Sequence, residues 1–142
     1  MSVSLMLCVS DAVAGAINTG QFERPVTAKR TWLPRYEPSE LETTQVAVVP
    51  AGESIKQSTR VKNIHEVSVD VSVMQRVADD AAADELSALV DELTDHLRLK
   101  RLVAFPTAVW IATEIQITHS HQHLQEQNVF LSVFRVTYRV VR

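Results

Sequence analysis

The sequence has 142 residues, of which 46% are hydrophobic, and a formal net charge of −3 with one cysteine, Cys8. That length is typical of one domain, so we predict a single domain over residues 1–142. The mild negative charge argues against a dedicated nucleic-acid binder, a lone cysteine excludes an internal disulfide, and no apolar run approaches the roughly 18–20 residues that span a bilayer.

The first elements predicted are a helix and an edge strand. Apolar residues recur at helical spacing over residues 4–19, and Gly20 stands where a left-handed helix terminator would. Residues 26–36 predict a strand. Pro34 places that strand at an edge of a sheet, because proline cannot donate to a ladder.

Two further strands follow, separated by a polar stretch. Residues 45–49 predict a short strand that ends at Pro50, and residues 51–60 predict a long hairpin loop. Valines then alternate with polar residues over 67–73, which predicts a strand with one buried and one solvated face.

The second half of the chain predicts one helix and two strands. Leucines and a valine form an apolar stripe over residues 81–99, with acids at its start and cations at its end, as the helix dipole favours. Residues 108–117 predict a fourth strand and residues 129–141 a fifth. Residues 118–128 between them predict a polar loop.

The order of these elements predicts an α+β fold. Helices that do not alternate one-for-one with strands favour a mainly antiparallel sheet of about five strands, with two helices packed on one face. The other face of the sheet would then need cover, which partner subunits could supply.

Three histidines, His119, His121 and His123, are the sharpest candidates for metal chemistry. On a strand, alternate residues point to the same side about 7 Å apart, so three imidazoles could ligate zinc or copper. The alternative is a solvated loop in which histidine is a tolerated polar residue. Because no fourth ligand or supporting shell is evident and the common catalytic motifs are absent, we predict no metal, no cofactor and no catalytic residue.

Charge is sorted along the chain. Residues 79–95 contain seven acids and no lysine or arginine, whereas residues 24–35 contain Arg24, Lys29, Arg30 and Arg35. The last strand adds Arg135 and Arg139. Such sorting favours head-to-tail pairing between subunits, the contact type that closes rings. The alternative is an ordinary solvated helix face.

The segment from Ala28 to Gly52 resembles a pattern in the tail terminator, or tail-completion, proteins of tailed bacteriophages. The pattern is an Ala-x-Arg-x-aromatic-x-Pro-x-aromatic segment followed by a Val-x-Val-x-Pro strand. It is matched by Ala28, Arg30, Trp32, Pro34, Tyr36, Val46, Val48 and Pro50. The alternating strand, the acidic helix and the closing strand follow in the family's order, so the resemblance covers nearly the whole chain.

The resemblance implies a structural subunit, not an enzyme. Its implied role is in a homo-oligomeric ring, a hexamer, that caps the tail tube, stops tube polymerisation and joins the tail to the neck or head. The implied partners are the tail-tube protein and a neck or connector protein, with genomic DNA passing through the ring without specific binding. The implied location is the virion at the head–tail junction, after assembly in the host cytoplasm. The alternatives are a head–tail connector of the phage neck and, less favoured, a small metal-dependent enzyme using the 119–123 histidines.

The expected subunit interface combines the resembling segment with the acidic helix. It comprises Arg30, Trp32, Arg35, Tyr36, Asp91 and Asp95. In this hypothesis Arg30 and Arg35 pair with Asp91 or Asp95 of the next subunit, and charge reversal at Arg30 weakens the ring.

Overall fold

The computed structural model describes residues 4–33, 36, 39–117 and 128–142, without the side chains of residues 116 and 117. Within these residues it has two helices, α1 (Leu5–Asn18) and α2 (Asp80–Leu97), and a short 3-10 turn at Glu40–Glu42. The strands are β1 (Ala28–Arg30), β2 (Gln45–Gln57), β3 (Asn63–Arg76), β4 (Val109–Ile117) and β5 (Val129–Val141).

The strands form one sheet in the order β1-β2-β3-β5-β4. The β1–β2 pair is parallel, and the β2–β3, β3–β5 and β4–β5 pairs are antiparallel. The predicted α+β class, with a mainly antiparallel sheet of five strands and two helices, is therefore confirmed. The first strand also lies at an edge of the sheet, as predicted, and β4 forms the other edge.

Both helices cover the same face of the sheet. The alternating valines of β3, at 67, 69, 71 and 73, are all 0% exposed. On the adjacent strand β5 they pair, in that order, with Tyr138, Val136, Phe134 and Ser132. One continuous apolar cluster joins the valines and the first three of these partners to Val9, Val13 and Ile17 of α1 and to Leu86, Leu89 and Leu93 of α2. Burial of each such side chain contributes roughly 1.5–3 kcal/mol, so this layer provides most of the driving force for folding.

The helix ends are fixed by specific contacts. Asp79 caps α2, because its carboxylate accepts a hydrogen bond from the backbone N–H of Ala82 at 2.9 Å. The end of α1 differs from the prediction, since Gly20 does not adopt a left-handed conformation. Gly20 is instead required for space: a Cβ there would lie 2.8 Å from both His96 Nε2 and Phe22 Cζ.

The predicted strand over residues 26–36 is much shorter in the structure. β1 has three residues because it finds ladder partners only at Val46–Val48. Pro34, which suggested the edge position, lies outside the described residues.

The predicted strand 45–49 is the first part of β2, but its predicted end at Pro50 and the predicted long loop over residues 51–60 are wrong. β2 continues to Gln57 through an irregularity between Pro50 and Gly52, and only residues 58–62 form the turn to β3. The bulge accommodates a proline within the ladder. Residues 54–57 are exposed on both faces, so they lack the alternation of apolar and polar residues by which a strand is recognised.

The sheet face away from the helices carries two cross-strand ion pairs, and its expected cover by partner subunits stays a prediction. Arg135 donates two hydrogen bonds to Asp70, at 2.8 and 3.2 Å, and Arg139 donates one to Glu66 at 3.0 Å. These contacts pair four charged side chains of the face within one chain. The hydrogen bond to Asp70, with the nearby Glu114 carboxylate adding a smaller effect, raises the pKa of Arg135.

The histidine run at 119–123 and residues 118–127 of the predicted loop lie outside the described residues. No helix among those that are described is long and apolar enough to cross a membrane.

Candidate subunit interface

The segment after β1 exposes two large apolar side chains. The backbone N–H of Thr31 donates to the carbonyl of Val48 at 2.9 Å, and beyond that bond the chain leaves the sheet. Trp32 is 62% exposed and Leu33 is 57% exposed. A tryptophan contributes more to protein interfaces than most residues when a partner buries it. Trp32 is therefore available for contact with a partner, and its predicted place in a subunit interface stays a prediction.

The residues that carry the resemblance divide into two groups in the structure. Ala28, Val46 and Val48 are buried within the β1–β2 pair. The side chain of Asn18, at the end of α1, accepts a hydrogen bond from the Ala28 N–H and donates one to its carbonyl. The buried residues Ala28, Val46 and Val48 therefore hold β1 at the edge of the sheet, and the segment with Trp32 projects from this edge.

Arg30 already has a partner in its own chain. Its Nε donates to the carboxylate of Asp11 on α1, and its side chain is 30% exposed. The predicted pairing of Arg30 with Asp91 or Asp95 of a neighbouring subunit stays a prediction, and it would have to replace or extend the contact with Asp11.

A groove of about 890 Å³ runs beside the exposed segment. Most of the residues that line it are polar or charged in type, and they include Arg24, Lys29, Thr44 and Gln75. Arg24 connects the segments around the groove, because its guanidinium donates hydrogen bonds to Thr44, to Gln75 and to Glu85 of α2. The groove is therefore a preorganised polar depression next to an apolar projection, which suits a protein partner.

Tyr36 also lines this groove and is partly buried. Burial, with a smaller contribution from the nearby Glu40 carboxylate, raises the pKa of Tyr36. Its hydroxyl therefore keeps its proton at neutral pH and can donate a hydrogen bond to a partner.

The two acidic members of the predicted interface lie elsewhere. Asp91 and Asp95 are exposed on α2, and the structure does not join either of them to Arg30 within one chain. Arg35 lies outside the described residues. Of the predicted set, Tyr36 lines the groove, Arg30 contacts Asp11 on α1, Trp32 is exposed just after β1, and Asp91 and Asp95 lie on α2.

The ion pairs that the β5 arginines form within the chain were not predicted from the sequence. Acids four residues apart on β3, Glu66 and Asp70, oppose arginines four residues apart on β5, Arg139 and Arg135. That matched spacing is present in the sequence and signals an antiparallel pair of strands. These arginines are therefore less suited to pairing with another subunit than their sequence position suggested.

Within the residues that the structure describes, no group of three or more histidine, cysteine, aspartate or glutamate side chains is placed to hold a metal ion. The histidine run is not among those residues, so this finding does not test it.

Comparisons with known proteins give a likeness in structure but none in sequence. No protein-family model matches the sequence, and no curated protein matches it. The fold is similar to a chain from a solved structure described as the virion of a native gene transfer agent particle, with a TM-score of 0.49 and 16% sequence identity. The alignment covers 96% of this chain and 95% of that chain. A likeness of this degree does not identify a function.

Proposed function

We propose that this protein is a non-catalytic structural subunit of a phage-like virion. In this proposal, copies of the chain form a ring, a hexamer, that caps the tail tube, stops its polymerisation and joins the tail to the neck at the head–tail junction. The resemblance of residues 28–52 to tail terminator proteins supplies the specific role. The ring needs no cofactor, and DNA passes through it without specific binding.

The exposure of Trp32 is the observation that carries the proposal. The side chain projects from the edge of the sheet where Ala28, Val46 and Val48 are packed into the core. Of its surface, 62% is exposed. An exposed indole contributes little to the stability of the single chain. It contributes substantially to an assembly in which a neighbour buries it.

The assembly state of the purified protein tests the proposal. Sedimentation or native mass measurement should show a closed assembly of six copies, or its formation when tail-tube protein is present. Trp32→Ala should weaken self-association at least about tenfold. It should change the free energy of unfolding by less than about 0.5 kcal/mol, because little of the side chain is buried.

Val103→Ala is the matched control, since Val103 is 88% exposed and lies outside the Trp32 segment. It should assemble like the unaltered chain. If Trp32→Ala and Val103→Ala assemble equally tightly, Trp32 is not part of the interface. If the chain stays monomeric at all concentrations, both alone and with tail-tube protein, the ring itself is wrong.

The capping role is tested separately. When the chain is added to polymerising tail-tube protein, tube elongation should stop, and the tubes seen by electron microscopy should become shorter as more chain is added. Continued elongation in the presence of bound chain would favour another virion joint, such as the neck connector.

A further inference from the structure

The end of the β2–β3 hairpin is a basic surface. Residues 54–62, called here the basic tip, are all exposed and contain Lys56, Arg60 and Lys62 but no acidic residue. Among the residues that the structure describes, none of these cations has an ion-pair partner. Ile55 and Val61 are 58% and 86% exposed, so the tip offers apolar as well as cationic contacts.

Local hydrogen bonds hold the basic tip in one conformation. The carbonyl of Lys62 accepts from the backbone N–H groups of Ser58 and Thr59, at 3.1 and 3.0 Å. The hydroxyl of Thr59 accepts in turn from the N–H groups of Val61 and Lys62. Because the turn is ordered before it meets a partner, docking costs less conformational entropy than the ordering of a free loop would.

The counterpart of the basic tip is a line of four aspartates on α2, called here the acidic stripe. Spacings of four, seven and four residues place them within about 60° of arc and along about 22 Å of the helix axis. All four are exposed, and none has an ion-pair partner in the described part of the chain. The members of the stripe are Asp80, Asp84, Asp91 and Asp95.

No ion pair in the described part of the chain offsets the repulsion between the carboxylates of the acidic stripe. Like charges four residues apart, such as Asp91 and Asp95, destabilise a helix. These two also lie toward the helix C-terminus, where the dipole disfavours anions. Other acids of the same helix do have internal contacts: Glu85 binds Arg24, and Glu92 accepts a hydrogen bond from the Glu23 N–H.

We propose that the basic tip of one copy docks on the acidic stripe of a neighbouring copy. The inference rests on the proposed function, because a ring is closed by contacts between two different surfaces of the same chain. The tip supplies three cations and the stripe four anions, so the two surfaces are complementary in sign. The tip is also a better counterpart than Arg30, whose guanidinium is already held by Asp11.

Duplex DNA is the other occupant that a basic surface suggests. The observations favour a second copy, because the chain has a net charge of −3 and carries the acidic stripe, which repels a polyanion. Binding of DNA by the basic tip is therefore treated as an outcome that would contradict the proposal.

Two charge-reversed variants test the contact. The tip variant combines Lys56→Glu, Arg60→Glu and Lys62→Glu, and the stripe variant combines Asp84→Lys, Asp91→Lys and Asp95→Lys. Each variant alone brings like charges together, so each should self-associate at least about tenfold more weakly than the unaltered chain near 0.15 M salt. Circular dichroism and an unfolding curve of each variant confirm that it folds.

An equimolar mixture of the two variants is the decisive sample. Every tip can then meet a stripe of opposite sign in an alternating assembly, so association should return to within about threefold of the unaltered chain. At 1 M salt the differences among the samples should shrink, because the charges are screened.

The outcomes separate this inference from the proposed function. If the unaltered chain assembles, and both variants assemble as tightly alone as in the mixture, the docking contact is wrong and the ring proposal stands. The contact is also wrong if the tip variant assembles normally but loses salt-dependent binding to a short DNA duplex. If the unaltered chain and the mixture both stay monomeric, alone and with tail-tube protein, both proposals fail.

Discussion

At the scale of single residues, two glycines show how the surroundings decide what a residue contributes. A Cβ at Gly20 would lie 2.8 Å from His96 Nε2, which is itself 2.8 Å from the carbonyl of Ala16. A Cβ at Gly15, an exposed position of α1, would meet nothing within 4 Å. The first glycine is needed for the contact between the two helices, and the second is not.

Opposite effects on stability are therefore expected from the same substitution. Gly20→Ala should destabilise the chain by about 1–3 kcal/mol, because His96 and Phe22 must move. Gly15→Ala should stabilise it by about 0.5–1 kcal/mol, since alanine is the better helix former. Urea unfolding curves of both variants measure the two effects. Shifts of the same sign and size would show that the packing around Gly20 is not as described.

The sequence could locate Gly20 at a helix end but could not give its reason for being glycine. A glycine just after a helix is most often a left-handed terminator, and that was the prediction. The reason found here is the approach of His96, which is 76 residues further along the chain. A contact of this kind depends on how α2 packs against α1, and no local pattern encodes it.

At the scale of elements, the cross-strand pairs of β3 and β5 fix the register of the central strands. A shift of one residue would move Asp70 away from Arg135 and would turn the β3 valines toward solvent. The two signals in the sequence, alternating valines and matched charge spacing, agree with each other. The prediction used only the alternation: β5 was correct to the residue at both ends, and β3 was predicted only over residues 67–73 of its 14 residues.

A double-mutant cycle measures the contribution of the Asp70–Arg135 pair. With Asp70→Asn, Arg135→Gln and the double variant, we expect a coupling energy of about 0.5–1 kcal/mol, decreasing at high salt. The control cycle combines Asp70→Asn with Arg139→Gln, whose pairing partner is Glu66. It should be additive within about 0.5 kcal/mol. Equal coupling in the two cycles would exclude a specific cross-strand pair.

The bounds of β1 and of the second half of β2 were predicted poorly, because no two signals in the sequence agree there. β1 has only three residues, too few to show an alternating pattern, and its parallel pairing with Val46–Val48 is not indicated by any local pattern in the sequence. The second half of β2 is polar and exposed, so only its ladder to β3 identifies it as a strand. Its length matters for the proposed docking contact, because residues 54–57 of β2 belong to the basic tip.

At the scale of the whole molecule, the candidate interface could be predicted only in part. The sequence indicated that acidic and basic segments are separated, and the structure confirms that Trp32 is exposed. What the sequence could not show is which charges are satisfied internally. Arg135, Arg139 and Arg30 all have partners within the chain, whereas the cations of the basic tip and the aspartates of the acidic stripe do not in its described part.

Charge reversal at Arg30 separates the internal contact from a contact between subunits. Arg30→Glu places two carboxylates side by side, so it should destabilise the chain by about 0.5–1 kcal/mol and weaken any assembly that uses this edge. Adding Asp11→Arg to the same chain should restore both stability and assembly, because the pair is rebuilt with its signs exchanged.

The hypothesis drawn from the sequence makes a different prediction for the same variant. If Arg30 pairs with Asp91 or Asp95 of a neighbour, Asp91→Arg with Asp95→Arg should restore the assembly of Arg30→Glu chains, and Asp11→Arg should not. The pattern of rescue, measured as the assembly constant at low and high salt, therefore identifies the partner of Arg30. From the structure we expect rescue by Asp11→Arg, and rescue by the α2 double variant alone would show that the Asp11 contact gives way when subunits meet.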